Sequence, residues 1–506
     1  MHYHLIGIAG TAMASLAGLL RARGDRVTGS DQGVYPPMSL MLDDLGIEYA
    51  DRYDPANLAG DPDLVVVGNA IGRGNPELEE VLDRRLRYTS AAAVIKERFL
   101  AGRHVVAVAG THGKTTTASL VAWLLEAAGL DPSFLIGGIP ENFGISFRLT
   151  DSEFFVIEAD EYDTAYFDKG PKMWHYLPWT AVVNNVEFDH ADIFRDNVAY
   201  RFAFERFINL VPRAGTLVAG WDSAALRAMC GVSRAPVQSF GIGVGVPDTG
   251  TATAEGVRSH PRWRAERIRG GEAGTRFAVR RDGTMLGEVE MRLAGDFNVL
   301  NALAAMAAAA AAGAPWDAIR EGLGTFRGVR RRMEVRGEAG GVTVVDDFAH
   351  HPTAVAATLK AARQRFRGRR LIAVFEPRSY TAQRREYQEA YGEALAEADH
   401  AVVAGLFRPE RYDDATRLDP LQLIASLLAQ GVEADYEPAV DGIVKRIVRG
   451  ARPGDVVLIM SNGGFGGIHE RLLAGLAAGD VEGAPGATGS ARGYGGTPPG
   501  GRRTGG

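Results

Sequence analysis

The stretch AGTHGKTTTASLVAWLL, residues 109–125, carries a glycine turn and a Lys-Thr pair between two apolar segments. The run HVVAVA that leads into it has the composition of a buried strand, and TTASLVAWLLEAAG has that of a helix. The common phosphate-loop pattern, G-x-x-x-x-G-K-[ST], requires a glycine at position 108, where this chain has Val108. A phosphate site here would therefore need a shorter loop than the common one.

The chemistry of the loop favours a phosphate site despite the missing glycine. Backbone N–H groups at a helix N-terminus attract anions, and Gly110 and Gly113 allow the backbone to fold closely around them. Lys114 can reach the β- and γ-phosphates of a nucleotide, and the Thr115 hydroxyl can ligate Mg²⁺. An ordinary glycine-containing turn is the alternative, and the Lys-Thr pair at the helix start disfavours it.

Two further strand ends carry groups that hold cations. FFVIEADE (154–161) ends an apolar strand in acids, and Glu158 can bind Mg²⁺ directly or through water. NNVEFDHADIF (184–194) places His190 between two aspartates, just past another strand. His190 is therefore a candidate second Mg²⁺ ligand or γ-phosphate contact. The alternatives are that Glu158 is merely a solvated acid and that His190 has a structural role.

Length and composition narrow the class of protein. At ~150 residues per domain, the 506 residues correspond to about three domains. A net charge of −6 argues against a nucleic-acid partner, which usually meets a basic face. The single cysteine, Cys230, excludes a disulfide framework. No apolar run predicts a membrane span, and the start MHYHLIGIAG lacks the basic region of a secretory signal, so a cytoplasmic enzyme is expected.

Strands alternate with helical patterns in three successive regions, which predicts an α/β protein with parallel sheets. The expected units are residues 1–102, 103–326 and 327–476, followed by a tail at 477–506. The Gly/Pro-rich tail has too few large apolar residues to order itself, and we expect disorder there. Residues 214–295 alternate polar and apolar residues and predict antiparallel strands, with Asp282-Gly283 as a hairpin turn.

The first unit has its own candidate ligand site. Ligands of parallel sheets bind at the carboxyl ends of the strands, and the residues at or just after such ends are Gly10, Thr11, Ser30, Asp31 and Asn69. The turn HLIGIAGTAMASLAG departs from G-x-G-x-x-G, so an NAD site is not expected.

Six motifs in order give the chain a family resemblance. They are G-T-H-G-K-T-T, E-A-D-E, N-N-V-E-x-D-H, D-F-N-V-L-N-A, R-R-M-E and D-D-F-A-H-H-P. Together they resemble the Mur ligases, ATP-dependent amide-bond ligases of bacterial cell-wall synthesis, over about residues 1–475. The resemblance implies an N-terminal Rossmann-like UDP-sugar domain, a central P-loop ATPase domain with extra antiparallel strands and a C-terminal Rossmann-like domain. The shortened loop resembles the family's own version, G-[TS]-[HN]-G-K-[ST]-T.

The resemblance also implies roles for individual residues, with ATP as cosubstrate and Mg²⁺ as cofactor. The implied ATP-binding residues are Gly110, Thr111, His112, Gly113, Lys114, Thr115, Thr116, Asn298, Asn301 and Asp347. The implied metal ligands are Thr115, Glu158 and His190, and the implied catalytic residues are Lys114, His190, Arg331, Arg332 and His350. The implied UDP-sugar contacts are Gly10, Thr11, Ala12, Ser30, Asp31 and Asn69. Most members carry a histidine where this chain has Phe297, so one detail of the adenine pocket differs.

The resemblance to the family leaves two possibilities for the amine substrate. Some members join L-alanine to UDP-N-acetylmuramate, and others join the murein tripeptide L-Ala-γ-D-Glu-meso-diaminopimelate to it. Residues 158–194, FEPRSYTAQ and MSNGGFGGIHERLL resemble the tripeptide ligases. The expected partners are therefore UDP-N-acetylmuramate and the tripeptide, with no nucleic acid and no membrane. Arg378 and Arg408 are candidates to meet a peptide carboxylate.

Three alternatives to a ligase come from other classes of protein. A P-loop kinase or GTPase-like switch leaves DDFAHHP unexplained, and a non-catalytic ATP-binding scaffold does not require Lys114, Glu158 and His190 together. A dehydrogenase built on the first unit is the third alternative. Several Mur ligases use a carbamylated lysine beyond the histidine motif, but this chain has no lysine from 173 to 359. We expect it to work without carbamylation, with Glu205 as a possible outer-shell helper.

Overall fold

The computed structural model describes residues 1–34, 38–189, 193–243, 261–411, 413 and 415–479. In these residues the strands form three large sheets, and a small hairpin accompanies the middle one. The expected α/β architecture is confirmed, and each large sheet falls within one of the three predicted units. His190 and residues 480–506 of the predicted tail lie outside the described residues, whereas 477–479 belong to the last helix.

The first sheet is entirely parallel, in the order β3-β2-β1-β4-β5. Its strands are β1 His2–Ile6, β2 Arg26–Ser30, β3 Glu48–Ala50, β4 Leu64–Val67 and β5 Tyr88–Ser90. Its helices are α1 Thr11–Ala22, α2 Met38–Asp44, α3 Pro76–Asp83 and α4 Ala91–Ile95. Helix α1 stops as expected before Gly24, which adopts a left-handed φ of 88°.

The middle sheet has the order β17-β16-β15-β14-β13-β12-β6-β9-β7-β8, which places β6 between β12 and β9. Its strands are β6 His104–Ala109, β7 Ser133–Leu135, β8 Phe147–Arg148, β9 Phe154–Glu158, β12 Thr180–Val183, β13 Thr216–Gly220, β14 Val237–Ile242, β15 Trp263–Gly271, β16 Gly274–Arg281 and β17 Thr284–Met291. The accompanying hairpin is β10 Asp163–Ala165 and β11 Asp168–Pro171. The helices are α5 Lys114–Ala127, α6 Asn197–Asn209, α7 Ala224–Met229, α8 Asp296–Ala311 and α9 Trp316–Thr325.

The prediction of antiparallel strands in 214–295 is right only for part of that region. Strands β15, β16 and β17 pair antiparallel, and Asp282-Gly283 turns with φ of 49° and 82°, the positive values that a two-residue hairpin needs. Strands β13 and β14 pair parallel instead. Helix α7 lies between these two strands and provides the crossover that parallel pairing requires.

The third sheet has the order β18-β19-β23-β20-β21-β22 and is parallel except for the edge pair β18-β19. Its strands are β18 Glu334–Ala339, β19 Val342–Asp347, β20 Leu371–Phe375, β21 His400–Val403, β22 Glu433–Tyr436 and β23 Val456–Met460. Its helices are α10 Pro352–Arg365, α11 Gln388–Leu395, α12 Pro420–Ala429, α13 Val440–Gly450 and α14 Ile468–Gly479. Strands β18 and β22 are short or half-exposed, and the sequence pattern did not reveal them.

The first unit packs tightly on the middle one. A Cβ on Gly18 of α1 would lie 2.1 Å from Cζ of Phe147 in β8, so a larger residue would displace that ring. Beside it, the Ser15 and Ser146 hydroxyls are 2.9 Å apart and share a hydrogen bond. Among the described residues, no helix combines the length and the apolar character needed to cross a bilayer.

Candidate active site between the central and C-terminal sheets

The glycine turn after β6 is built as the sequence predicts. Strand β6 ends at Ala109 and α5 begins at Lys114, so only four residues form the turn. Gly110 and Gly113 adopt φ of 135° and 80°. A Cβ on Gly113 would lie 2.3 Å from Oδ1 of Asn301, so this loop position requires glycine for space as well as for φ.

Two adjacent asparagines after β12 hold this turn, and the sequence analysis did not assign them a role. The His112 N–H donates to Oδ1 of Asn185 at 2.9 Å, and the Thr111 N–H donates to the Asn185 carbonyl at 3.2 Å. Asn184 donates from Nδ2 to the Thr117 hydroxyl at 2.9 Å. The available signal was the Asn-Asn pair directly after the buried run TAVV, since amides at a strand end can satisfy a neighbouring loop.

Lys114 is buried and lies against carboxylates. Its Nζ donates to the Gly110 carbonyl at 2.9 Å and to Oε2 of Glu161 at 2.8 Å, and Glu161 is fully buried. Burial alone would lower the pKa of Lys114, but the charges of Glu161 and Asp160 outweigh it and raise that pKa. The lysine is therefore held as a cation, and Glu161 joins the candidate site as its anchor.

Thr115 and Glu158 lie together, as a shared metal site requires. The Thr115 hydroxyl donates to Oε1 of Glu158 at 2.9 Å, and the Gly137 N–H donates to Oε2 at 2.7 Å. Burial and the neighbouring Asp160 raise the pKa of Glu158 to about 7. A hydroxyl and a carboxylate are oxygen ligands of the kind that Mg²⁺ prefers, so this pair fits the ion.

Arg331 and Arg332 take different positions in residues 326–333, the segment between α9 and β18 that is here called the hinge. Arg332 points toward the P-loop, with Nη2 3.4 Å from the Thr115 hydroxyl. Arg331 is turned into the C-terminal unit, where Nη2 donates to the carbonyls of Ser461 and Gly463 at 2.7 and 2.8 Å. Both guanidinium groups lie on the face of Phe348. Of the two predicted catalytic arginines, the structure thus brings only Arg332 to the phosphate loop.

Asp347 and His350 belong to the loop that follows β19. Asp347 is buried and accepts from the N–H groups of Met333 and Ala349, both at 2.8 Å. It therefore joins the hinge to this loop, and its predicted contact with ribose stays a prediction. His350 is half-buried, with Nδ1 3.0 Å from the Phe348 carbonyl.

The predicted adenine-site asparagines lie at the start of α8, behind the phosphate loop. Nδ2 of Asn301 donates to Oδ1 of Asn298 at 3.1 Å, and Asn298 donates to the Ala294 carbonyl at 2.8 Å. The Thr117 hydroxyl of α5 donates to Oδ1 of Asn301 at 3.3 Å. These hydrogen bonds and the close approach of Asn301 to Gly113 support the phosphate loop from the side of α8. Thr116 is also buried. The contact of Asn298 and Asn301 with adenine and the contact of Thr116 with ATP stay predictions.

The candidate UDP-sugar residues lie at or just after the ends of β1, β2 and β4, and one of them is closed to a ligand. Gly10, Thr11 and Ala12 are exposed there, and the half-buried Asn69 follows β4. Ser30 is fully buried, and its hydroxyl donates to the buried carboxylate of Glu77. Its side chain is therefore not available to a ligand in this conformation.

Asp31 occupies the place next to this helix start. Its Oδ2 accepts from the Ala9 N–H at 2.8 Å, and its Oδ1 accepts from the Tyr53 hydroxyl, also at 2.8 Å. An acceptor so close to the turn suits a ligand hydroxyl better than a phosphate.

Several side chains cross between the central and C-terminal units. The Thr353 hydroxyl donates to Oε1 of Glu187 at 2.6 Å, and the Thr381 hydroxyl donates to Oδ1 of Asp189, also at 2.6 Å. The second aspartate of the histidine motif, Asp192, lies outside the described residues with His190. The two units therefore meet directly over the phosphate loop.

Arg378 lies at the carboxyl end of the third sheet. Its guanidinium is 3.9 Å from the ring centroid of Phe407, and Nη1 is 3.6 Å from Oε1 of Glu376. A Cβ on Gly463 would overlap that guanidinium, so FEPRSYTAQ and MSNGGFGG meet at this point. Arg408 lies over the same Phe407 ring at 5.1 Å.

Comparisons with known proteins agree with this architecture. Three family descriptions match in order: "Mur ligase family, catalytic domain" over 2–102, "Mur ligase middle domain" over 108–309 and "Mur ligase, glutamate ligase domain" over 331–463. UDP-N-acetylmuramate–L-alanyl-γ-D-glutamyl-meso-2,6-diaminoheptandioate ligase of Escherichia coli K12 is 44% identical over 94% of this chain and 98% of that protein.

Two further similarities also span nearly the whole chain. UDP-N-acetylmuramate–L-alanine ligase of Acidothermus cellulolyticus is 37% identical over 91% of this chain and 92% of that protein. The crystal structure of a murein peptide ligase from Psychrobacter arcticus matches with a TM-score of 0.70 at 37% identity, covering 94% of this chain and 99% of that one. The fold predicted from the motifs is thereby confirmed.

Proposed function

The chain belongs to the Mur ligase family, and we propose that it joins L-Ala-γ-D-Glu-meso-diaminopimelate to the lactyl carboxylate of UDP-N-acetylmuramate. The reaction uses ATP and Mg²⁺ and releases ADP and phosphate. The choice of amine rests on the 44% identity to a ligase named for the tripeptide, over 94% of this chain, against 37% identity to one named for L-alanine. The reaction belongs to peptidoglycan recycling in the cytoplasm, where ATP and the sugar nucleotide are available.

A carboxylate needs activation before an amine can attack it. We expect an acyl phosphate: the lactyl carboxylate takes the γ-phosphoryl group of ATP, ADP leaves, and the amine then displaces phosphate. The reacting groups carry several negative charges, so the site must neutralise them. Bound Mg²⁺ supplies part of this neutralisation and polarises the transferred phosphoryl group.

Side chains of this protein supply the rest of the positive charge that neutralises the reacting groups. Lys114 provides a buried cation at the phosphate loop, and Arg332 reaches the same place from the hinge. Thr115 and Glu158 would hold the metal, with His190 as the predicted further ligand. The hydrogen bonds of Glu187 and Asp189 with the C-terminal unit support an arrangement in which an amine bound there would reach the acyl phosphate.

The C-terminal strand ends suit a charged peptide. Arg378 is fixed by the Phe407 ring and by Glu376, so a carboxylate can meet a guanidinium whose orientation is already set. Such a contact serves the diaminopimelate end of a tripeptide, whereas L-alanine has only the carboxylate beside its amine. Arg378 is thus a candidate for substrate selection.

Phosphate release with ATP and UDP-N-acetylmuramate tests the proposal directly. With the tripeptide as amine, we expect turnover and a product whose mass equals the sum of the two substrates minus water. With L-alanine at the same concentration, we expect little release. Efficient release with L-alanine and none with the tripeptide would overturn the choice of substrate while leaving the ligase reaction intact.

A further inference from the structure

Three side chains of types that can bind metal ions converge where the central and C-terminal units meet. His112 lies in the phosphate loop, Glu187 follows β12, and His351 lies between β19 and α10. One ligand atom from each lies within 4.8 Å of the other two. His351 is buried, and the imidazole rings of His112 and His351 are 5.1 Å apart between centroids.

The spacing of these donors matches tetrahedral coordination. Ligands at about 2.0–2.2 Å from Zn²⁺ lie about 3.4 Å from one another. Nε2 of His112 is 2.9 Å from Oε2 of Glu187, and Nδ1 of His351 is 4.0 Å from Oε1 of the same carboxylate. The two distances end on different oxygens of the carboxylate and lie on either side of this value, so a small rotation of the carboxylate and of the imidazole rings is needed to complete the site.

The carboxylate at the centre is oriented by its neighbours. Oε2 of Glu187 faces Nε2 of His112 at 2.9 Å. The Thr353 hydroxyl, 2.6 Å from Oε1, also fixes the orientation of the group, as an outer-shell partner does in metal sites.

We propose that His112, Glu187 and His351 form a binding site for a transition-metal dication of the Zn²⁺ type, bridging the central and C-terminal units. Two imidazole nitrogens and one carboxylate oxygen are ligands that suit Zn²⁺, whereas Mg²⁺ prefers oxygen alone. The site is therefore separate from the Mg²⁺ site of Thr115 and Glu158.

An ion in this position has a consequence for turnover. It would tie the phosphate loop to the loop after β19 and so stabilise the closed arrangement of the two units. Substrate entry and product release require these units to separate. Zn²⁺ therefore inhibits the enzyme by slowing opening, without replacing Mg²⁺.

Metal binding by the intact, chelator-treated chain tests the site without any substrate. In excess Mg²⁺, Zn²⁺ titration by calorimetry and Co²⁺ titration by visible absorption should each show one ion per chain, with Co²⁺ giving the intense bands of a tetrahedral site. His351→Ala and Glu187→Gln should each weaken binding by at least about tenfold. His175→Ala should bind as the unmodified chain does, since His175 pairs with Asp168 away from this cluster.

Two readouts keep the outcomes distinct. Circular dichroism of both variants checks that they fold, and Glu187→Gln retains the shape of the side chain. Equal Zn²⁺ affinity in the unmodified chain, His351→Ala and Glu187→Gln would overturn the proposal, as would Co²⁺ spectra typical of octahedral coordination. Because no substrate is present, either result is independent of the proposed ligase reaction.

Discussion

Two glycine turns of this molecule share a backbone design and differ in charge. G-I-A-G-T-A at 7–12 follows β1 and opens α1, and G-T-H-G-K-T at 110–115 follows β6 and opens α5. Both present helix N–H groups at the carboxyl edge of a parallel sheet. Only the second turn contains a cation, and that cation is buried among acids.

The difference shows how side-chain charge selects the ligand of a common backbone turn. At the first turn the Ala9 N–H donates to Asp31, which places a carboxylate beside the helix start. At the second, Lys114 and Arg332 bring positive charge to the same kind of loop. The positive charge of the second turn fits the proposed triphosphate with Mg²⁺, and the carboxylate of the first turn fits a hydroxyl of the proposed sugar nucleotide.

The largest expected effect comes from removing the cation of the second turn. Lys114→Ala should lower kcat by at least about 10²–10³-fold, because a preorganised charge at the phosphoryl group is lost. Binding of UDP-N-acetylmuramate, measured by calorimetry, should persist. Lys169→Ala, which removes an exposed lysine paired with Asp163, serves as the control. Loss of sugar-nucleotide binding in folded Lys114→Ala would contradict the separation of the two turns.

The hinge arginines should give different phenotypes. Arg332→Ala should reduce kcat by about 10²-fold, since Arg332 is the one that faces Thr115. Arg331→Ala should instead lower the free energy of unfolding by about 1–3 kcal/mol, because two carbonyls lose their donor. Steady-state kinetics and urea unfolding measure the two effects, and a reversed pattern would show that the assignment is wrong.

A smaller effect is expected at the first turn. Asp31→Ala should raise the KM for UDP-N-acetylmuramate by about tenfold, corresponding to about 1.4 kcal/mol of lost hydrogen bonding. The KM for ATP should not change, because Asp31 lies in the other turn. Asp83→Ala, at an exposed position, is the matched control. A change in the KM for ATP alone would show that the assignment of Asp31 to the sugar-nucleotide site is wrong.

Carbon dioxide should have no effect on the activity of this enzyme. The chain has no lysine from 173 to 359 that could carry a carbamate near the metal, and arginine offers no lone pair to a cation. Activity should therefore be equal in CO₂-depleted and bicarbonate-supplemented buffer. Rescue by bicarbonate of an activity lost on depletion would reveal a carbamate elsewhere.

Among changes to the chain itself, the smallest effect is expected from the C-terminal tail. Truncation after Gly479, where α14 ends, should leave kcat and KM nearly unchanged, because the tail has almost no large apolar residue to bury. Steady-state kinetics of the shortened chain measure this. A large loss of turnover would assign the tail a part in the reaction.

The sequence by itself determined what depends on local pattern. The order of strand, glycine turn, Lys114 and helix requires one backbone geometry, and the hairpin at Asp282-Gly283 follows from turn chemistry. The six motifs and their order were also sufficient to predict the three-unit fold. Short or half-exposed strands such as β18 and β22 lacked such a pattern and were missed.

Only the tertiary structure decided which side chains meet. Adjacent arginines are equivalent in the sequence, yet Arg332 reaches Thr115 and Arg331 turns away. Ser30, at a strand end, proved to face a buried carboxylate. Likewise, His112 and His351 lie 239 positions apart in the sequence, and both approach the carboxylate of Glu187. The physical reason is that side-chain partners depend on how distant elements pack, and local periodicity carries no information about that packing.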